Sequence, residues 1–170
     1  MMRQRGFTLI EMLVVVAIIG LLSTLVFIAY SNARSKARDA VRSGDIAQVR
    51  KALEVYYNST GDFPSTLADG EIGNPTNGMG CLGTFGWEAD TACATPVFMG
   101  VAPRDPASTA DVPNHDRPCA TIGIPCNYSY ARLSGERYEL HFRLEVGAGQ
   151  LGVGLLCATE AGVGPACAHQ

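Results

Sequence analysis

One acidic side chain lies inside a long apolar run near the start of this 170-residue chain. From Phe7 to Tyr30 the run has no proline, lysine or arginine, and Glu11 is its one charged residue. A helix of that length is about 35 Å long, enough to cross a bilayer hydrocarbon core of about 30 Å. An ionisable group in a membrane segment costs roughly 2.5–3.5 kcal/mol and by default marks function. Glu11 is therefore the first candidate functional residue.

The chemistry open to Glu11 is charge pairing between packed helices. Several apolar helices packed side by side take one another out of lipid, and an unpaired carboxylate there is costly. A carboxylate that faces an amine of a neighbouring chain is compensated. Such helices would associate favourably only at the stagger that supplies this partner, so Glu11 would set their register.

Six cysteines form the second candidate group, and all of them lie in the second half of the chain. An even number after a membrane-targeting start favours disulfides in an oxidising compartment. A zinc site is the alternative, although the sequence has no C-x-x-C pair and its histidines are scattered. Sequence does not choose the connectivity, but pairing each cysteine with the next one closes short loops. The candidates are Cys81, Cys93, Cys119, Cys126, Cys157 and Cys167.

Metal and catalytic sites are weakly indicated. Asp105, Asp111 and Asp116, with Asn114, could offer oxygen ligands to calcium, but their spacing does not match an EF-hand loop. The serines lack a nucleophile-elbow setting, and the glycine-rich segments lack that of a phosphate loop. His141 is expected on the polar side of a strand as a solvated side chain. We expect no enzyme activity and no cofactor, with calcium as a remote possibility.

One long helix, from Phe7 to about Tyr57, is expected to position Glu11. Residues 7–30 are apolar all round, whereas residues 31–57 are amphipathic. The apolar stripe of the second half recurs at spacings of 3, 4 and 3 and consists of Ile46, Val49, Leu53 and Tyr56. Four basic residues on this half are expected to form a solvated face with local ion pairs to Asp39 and Asp45, and they are Arg34, Lys36, Arg38 and Arg42.

The rest of the chain predicts a small sheet after a long loop region. Residues 58–127 read as loop held by disulfides, with Phe85 and Trp87 in a satellite core or an exposed patch. Residues 128–157 predict an antiparallel sheet, and residues 158–170 a glycine-rich tail. The clearest strand is 137–145, where one apolar face consists of Tyr138, Leu140, Phe142 and Leu144.

The predicted fold class is thus α+β. A long N-terminal helix has a protruding hydrophobic half and an amphipathic half, which packs on a small antiparallel sheet with a long disulfide-pinned loop region. The net charge of −3 gives no sign of nucleic-acid binding.

The sequence Arg3-Gln4-Arg5-Gly6 followed by Phe7-Thr8-Leu9-Ile10-Glu11 resembles the class III signal of type IV pilins and type II secretion pseudopilins. The resemblance covers roughly residues 1–64. It implies that residues 1–6 are a leader, which a prepilin peptidase removes between Gly6 and Phe7 before it methylates the new N-terminus. It also implies that Glu11 pairs with the amino terminus of an adjacent subunit.

The resemblance further implies a bacterial inner-membrane precursor that spans the membrane once, with its C-terminal domain outside the cytoplasm. Its expected partners are copies of itself, related pilins, prepilin peptidase, an inner-membrane assembly platform and, before assembly, membrane lipid. The expected product is a periplasmic or surface filament. The helix exit and the Asp105-Pro106 turn favour a pseudopilus, whereas the cysteine-rich loop favours a type IV pilus.

The apolar segment has two other interpretations, and the sequence argues against the first. An ordinary secretory signal peptide has a shorter apolar region and an A-x-A-like cleavage site, neither of which is present. A single-pass tether for an extracytoplasmic binding or adhesion module, which does not polymerise, is the main alternative. In that case Glu11 is incidental.

Overall fold

One long helix and two small sheets make up the chain. The helix, α1, spans Leu9–Thr60. Contact clustering divides the chain into two compact units, residues 1–35 and residues 36–170. The fold is α+β, as predicted. The computed structural model describes residues 7–66, 70–73, 79–89, 93–107 and 127–165.

All strand pairs in the two sheets are antiparallel. The smaller sheet is the β1–β2 hairpin, and the larger has the strand order β3-β4-β5-β6. Each strand of the larger sheet therefore pairs with its neighbour along the chain. The strands are β1 Cys81–Gly83, β2 Gly86–Glu88, β3 Ser129–Ser134, β4 Arg137–Leu144, β5 Gly154–Thr159 and β6 Gly162–Pro165.

The helix ends at Thr60, about one turn later than the predicted end near Tyr57. Gly61 follows the last helical residue with a positive φ of 83°. Its N–H donates to the Tyr57 carbonyl at 2.8 Å, which satisfies one of the orphan carbonyls of the last turn. Pro64, three residues further on, cannot continue a helix.

The core of the second unit forms where the amphipathic part of α1 meets the apolar residues of the larger sheet. Val49 and Leu53 on α1 are fully buried, as is Leu140 on β4. The predicted stripe and the predicted strand face both belong to this one hydrophobic cluster. Its members from those two elements are Ile46, Val49, Leu53, Tyr56, Tyr138, Leu140, Phe142 and Leu144.

The β3–β4 hairpin lies within the predicted sheet region 128–157, and Gly135-Glu136 form its turn. The outer edge of β3 is covered by a short chain segment: the N–H of Ile72 donates to the Tyr128 carbonyl at 2.9 Å, and the N–H of Tyr130 donates to the Gly70 carbonyl at 2.7 Å. Pairing of this kind removes an open edge on which another chain could add a strand.

The sheet extends further than the sequence indicated. Strand β5 continues past Cys157, and β6 lies within the segment 158–170 that was expected to be a tail. The loop region also contains the β1–β2 hairpin. These strands are short and rich in glycine, so they carry little of the alternation by which a strand is recognised in sequence.

Candidate functional site

Glu11 lies in the first turn of α1 and forms a capping box with Thr8. The Glu11 Oε2 atom accepts hydrogen bonds from the Thr8 backbone N–H at 2.8 Å and from the Thr8 hydroxyl at 2.7 Å. The Glu11 N–H in turn donates to the Thr8 hydroxyl at 3.3 Å. The carboxylate is therefore compensated within its own chain, at the helix end whose dipole favours negative charge. The Thr-x-x-Glu spacing is the sequence signal for this cap.

The rest of the first unit presents apolar side chains on every described face. Phe7 is 80% exposed, Leu13 is 62% exposed and Phe27 is 75% exposed. Among the described residues, α1 is the one helix that is long and apolar enough to cross a membrane. Length and composition alone make this weak evidence of a span, because core helices and signal sequences can pass the same test. Gly6, on the other side of the predicted cleavage point, lies outside the described residues.

The second unit contains a group of ion pairs around a buried arginine. We call it the arginine cluster, and it consists of Arg38, Asp39, Arg42, Asp105 and Glu145. At its centre, the Arg42 guanidinium forms a two-pronged contact with Asp105, through Nε to Oδ2 at 2.7 Å and through Nη2 to Oδ1 at 2.9 Å. Its Nη1 donates to Asp39 at 2.8 Å and to Glu145 at 2.7 Å. Burial alone would lower the pKa of Arg42, but its bonds to Asp105 raise that pKa above its usual value.

Asp39 joins α1 to the turn that follows β4. Its carboxylate accepts the backbone N–H groups of Glu145, Val146 and Gly147 at 2.7–3.0 Å. The side chain is completely buried. Burial alone would raise the pKa of Asp39, but the donors from this turn and from Arg42 outweigh it and hold the pKa below its usual range. Asp39 therefore stays charged and fixes the turn against the helix.

The arginine cluster corrects the prediction of a solvated basic face. Arg42 is 4% exposed, and Arg38 forms a two-pronged ion pair with Glu145, which directly follows β4 and is far away in sequence. The predicted local pair between Arg42 and Asp39 is present. Asp45 instead accepts a hydrogen bond from the Tyr128 hydroxyl at 2.8 Å. Sequence missed these contacts because the paired residues are at least 63 positions apart along the chain.

The calcium candidates divide into one described residue and two that are not described. Asp105 is 4% exposed, and both of its oxygens are occupied by Arg42. This geometry makes it an arginine partner rather than a metal ligand. Asp111 and Asp116 lie outside the described residues. Within the described ranges, no group of three or more His, Cys, Asp or Glu side chains is placed to hold a metal ion.

The disulfide prediction concerns three described cysteines. Cys81 and Cys93 are bonded to each other with a Cα–Cα distance of 6.1 Å, which is the predicted pairing of neighbours along the chain. Cys157 is also disulfide-bonded, and its partner lies outside the described residues. The remaining candidates, Cys119, Cys126 and Cys167, lie outside them as well.

Part of the second face of the larger sheet, around Glu139 and His141, is buried, which corrects the prediction for His141. That side chain is 6% exposed and lies beside Ser129 on β3, with Oγ and Nδ1 3.5 Å apart. Its Nε2 atom is 3.6 Å from a carboxylate oxygen of Glu139, which is also buried. The alternation of the strand correctly predicts which residues share this face. It does not reveal that both faces are covered.

The two aromatic residues of the small hairpin, Phe85 and Trp87, lie in different environments. Trp87 belongs to the main core and packs edge-on against Tyr130, with ring centroids 5.6 Å apart. Phe85 lies in the hairpin turn and is 83% exposed. The prediction placed both residues in one environment, but neighbouring positions at a tight turn face different environments.

Comparison with known proteins gives the functional context of this arrangement. A profile described as "Prokaryotic N-terminal methylation motif" matches residues 1–27. The type IV major fimbrial protein FimA of Dichelobacter nodosus is 36% identical over 108 residues, which are 61% of this chain and 61% of that protein. The type II secretion system core protein G of Pseudomonas aeruginosa is 38% identical over 79 residues, 43% of this chain and 56% of that protein. No solved structure matches the chain.

A further relative is matched over a larger share of its length. The fimbrial protein EcpC of Eikenella corrodens is 35% identical over 108 residues, which are 58% of this chain and 69% of that protein. The chain therefore belongs to the family of type IV pilins and type II secretion pseudopilins. It spans about six tenths of the length of the FimA relatives that it matches.

Proposed function

We propose that this chain is a structural subunit of a filament, a type IV pilus or a type II secretion pseudopilus. The single observation that carries the proposal is the position of Glu11, a lone carboxylate at the start of the helical segment 9–30, whose described residues are exposed and mostly apolar. An apolar helix of this kind needs lipid or other helices around it. The carboxylate gives such a bundle a preferred register.

The geometry of the capping box leaves one carboxylate oxygen of Glu11 available for a second partner. Both contacts to Thr8 use Oε2, and Oε1 forms none with the described residues. In the bilayer the Thr8 cap compensates the charge. In a filament the free oxygen would accept a hydrogen bond from the amino terminus of an adjacent subunit. An ionised donor of this kind gives a stronger bond than a neutral one.

Processing and partners belong to the same proposal. Prepilin peptidase cleaves between Gly6 and Phe7 and methylates the new N-terminus, and the profile matched at residues 1–27 supports this step. The precursor spans the bacterial inner membrane once, with residues 36–170 outside the cytoplasm. An assembly platform there lifts subunits into the filament. The disulfides support an extracytoplasmic location, because thiols in the cytoplasm are kept reduced.

The test compares two substitutions of Glu11 in the native host. Glu11→Gln keeps a residue that can complete the capping box but removes the charge, whereas Glu11→Ala removes both. We expect both variants to remain in the membrane and to lose filaments by at least tenfold, measured by shearing and immunoelectron microscopy. The matched control is Thr24→Ala, since the Thr24 hydroxyl bonds the Leu21 carbonyl of its own helix and should be dispensable.

Each outcome of that comparison has a meaning. If Glu11→Gln assembles normally and Glu11→Ala does not, Glu11 acts only as a helix cap and the register role is wrong. If both variants assemble normally, or if the native protein forms no filament, the chain is a membrane tether. Loss of surface fibres would identify a pilus, and loss of protein secretion a pseudopilus.

A further inference from the structure

A shallow groove follows one face of α1 within the first unit. Its lining residues recur every three or four positions, so they share one side of the helix. The lining is largely apolar, and its Ser23 hydroxyl donates to the Ile19 carbonyl of the same helix at 2.7 Å. The groove is lined by Ile19, Leu22, Ser23, Val26, Phe27 and Tyr30.

An unneutralised cation lies at the end of this groove. Arg34 is one helical turn beyond Tyr30, and its guanidinium carbon is 5.7 Å from the centroid of the Tyr30 ring. Arg34 is exposed and forms no ion pair with a described residue. The next arginine on the helix, Arg38, is by contrast neutralised by Glu145. The guanidinium thus lies beside a ring that lines the groove, and the ring does not cancel its charge.

We propose that this groove and Arg34 bind one anionic phospholipid, with the phosphate at the guanidinium and an acyl chain along the groove. The dimensions agree. From Ile19 to Tyr30 the helix rises about 16 Å, and half of a bilayer core is about 15 Å thick. A tyrosine with an arginine just beyond the apolar run matches the residue types enriched at membrane interfaces.

Charge decides between a lipid and a second copy of the chain on this face. The sequence has no acidic residue between Glu11 and Asp39, so the corresponding helix of a parallel copy offers Arg34 no carboxylate over that span. A lipid phosphate supplies the missing negative charge. The inference rests on the proposed membrane-resident precursor. It adds that the bound lipid must leave before another helix can cover the groove.

The test uses the full chain in nanodiscs with equal amounts of phosphatidylglycerol and phosphatidylcholine. Native mass spectrometry after release counts the lipids that stay bound. We expect phosphatidylglycerol to be retained several-fold more often than phosphatidylcholine. Arg34→Gln should reduce this ratio to near one, whereas Arg34→Lys should keep most of it. Lys36→Gln is the matched control, because Lys36 is about 200° around the helix from Arg34.

Four results would overturn the proposal. The first is equal retention of the two lipids by the unaltered chain. The second is an Arg34→Gln variant with unchanged selectivity, and the third is an equal loss in Lys36→Gln. Added inorganic phosphate should not displace the lipid; displacement would show that Arg34 binds phosphate without the groove. The assay uses unassembled protein, so its failure is distinguishable from failure of filament formation.

Discussion

Arg42 shows how single residues organise the second unit. It contacts three carboxylates: Asp39 on the helix, Asp105 in the loop region and Glu145 directly after β4. Buried ion pairs often add little net stability compared with apolar packing, because desolvation is costly. Breaking one is nevertheless expensive, since the partner charge stays buried. The arginine cluster is therefore best understood as a device that fixes where the helix, loop and strand meet.

At the residue scale, Asp39 should make the stability of the second unit depend on acid. Its pKa is lower in the folded chain than its unfolded value, so its contribution is complete above about pH 4 and is lost as the pH falls through the folded value. One carboxylate changes the free energy of unfolding by at most about 1.4 kcal/mol per pH unit. We expect Asp39→Asn to be less stable at neutral pH and to lose part of the acid dependence.

Tryptophan fluorescence can measure this effect selectively. Trp87 is the one tryptophan of the chain and is buried in the core of the second unit, so its emission reports unfolding of that unit in detergent. The control is Asp62→Asn, because the Asp62 side chain is 65% exposed. An Asp39→Asn profile that runs parallel to the unaltered chain at every pH would contradict the assignment.

At the element scale, sequence predicted the elements that have a regular pattern. The stripe from Ile46 to Tyr56 and the alternation from Tyr138 to Leu144 each repeat over several turns or pairs, and both belong to the observed core. The β1–β2 hairpin and β6 have three or four residues each, with glycines, so pattern recognition has almost nothing to detect. His141 is buried although it lies on the polar side of its strand. The alternation within one strand does not indicate whether that side is covered.

The Cys81–Cys93 disulfide should stabilise the small hairpin and its surroundings. The loop that it closes spans 12 positions, and a loop of this size contributes about 2–3 kcal/mol in the chain-entropy model. We expect the double substitution of both cysteines by serine to lower the free energy of unfolding by that amount, measured through Trp87. Gly100→Ala is a control in the same loop region, since an added Cβ would meet no atom within 4 Å. An unchanged midpoint would show that the hairpin holds without the bond.

At the scale of the whole molecule, the two units have surfaces that suit different surroundings. The first has exposed apolar side chains and one compensated acid, and the second has a closed core with internal ion pairs. The sequence changes in hydropathy and periodicity near Ser31, a few residues before the boundary between the two units. It could not predict the arginine cluster, since Asp105 and Glu145 are distant from Arg42 along the chain.

The prediction at the scale of the whole chain concerns the N-terminus of the processed protein. We expect protein extracted from its native membrane to begin at Phe7, with a mass that corresponds to loss of residues 1–6 and addition of one methyl group. Intact-mass spectrometry with N-terminal sequencing measures both. A Gly6→Leu variant should keep its leader, while Ser23→Ala should be processed normally. A native protein that still begins at Met1 would contradict the proposed processing.

The cap that Thr8 provides for Glu11 bears on whether assembly can be reversed. A carboxylate that depended on a neighbour for all of its hydrogen bonds would be stranded in hydrocarbon whenever that neighbour departed. Here the departing subunit keeps its own Thr8 contacts to Oε2, which the neighbour does not use. Depolymerisation would therefore return an intact, reusable subunit to the bilayer, and one pool of protein could supply repeated rounds of growth and shrinkage.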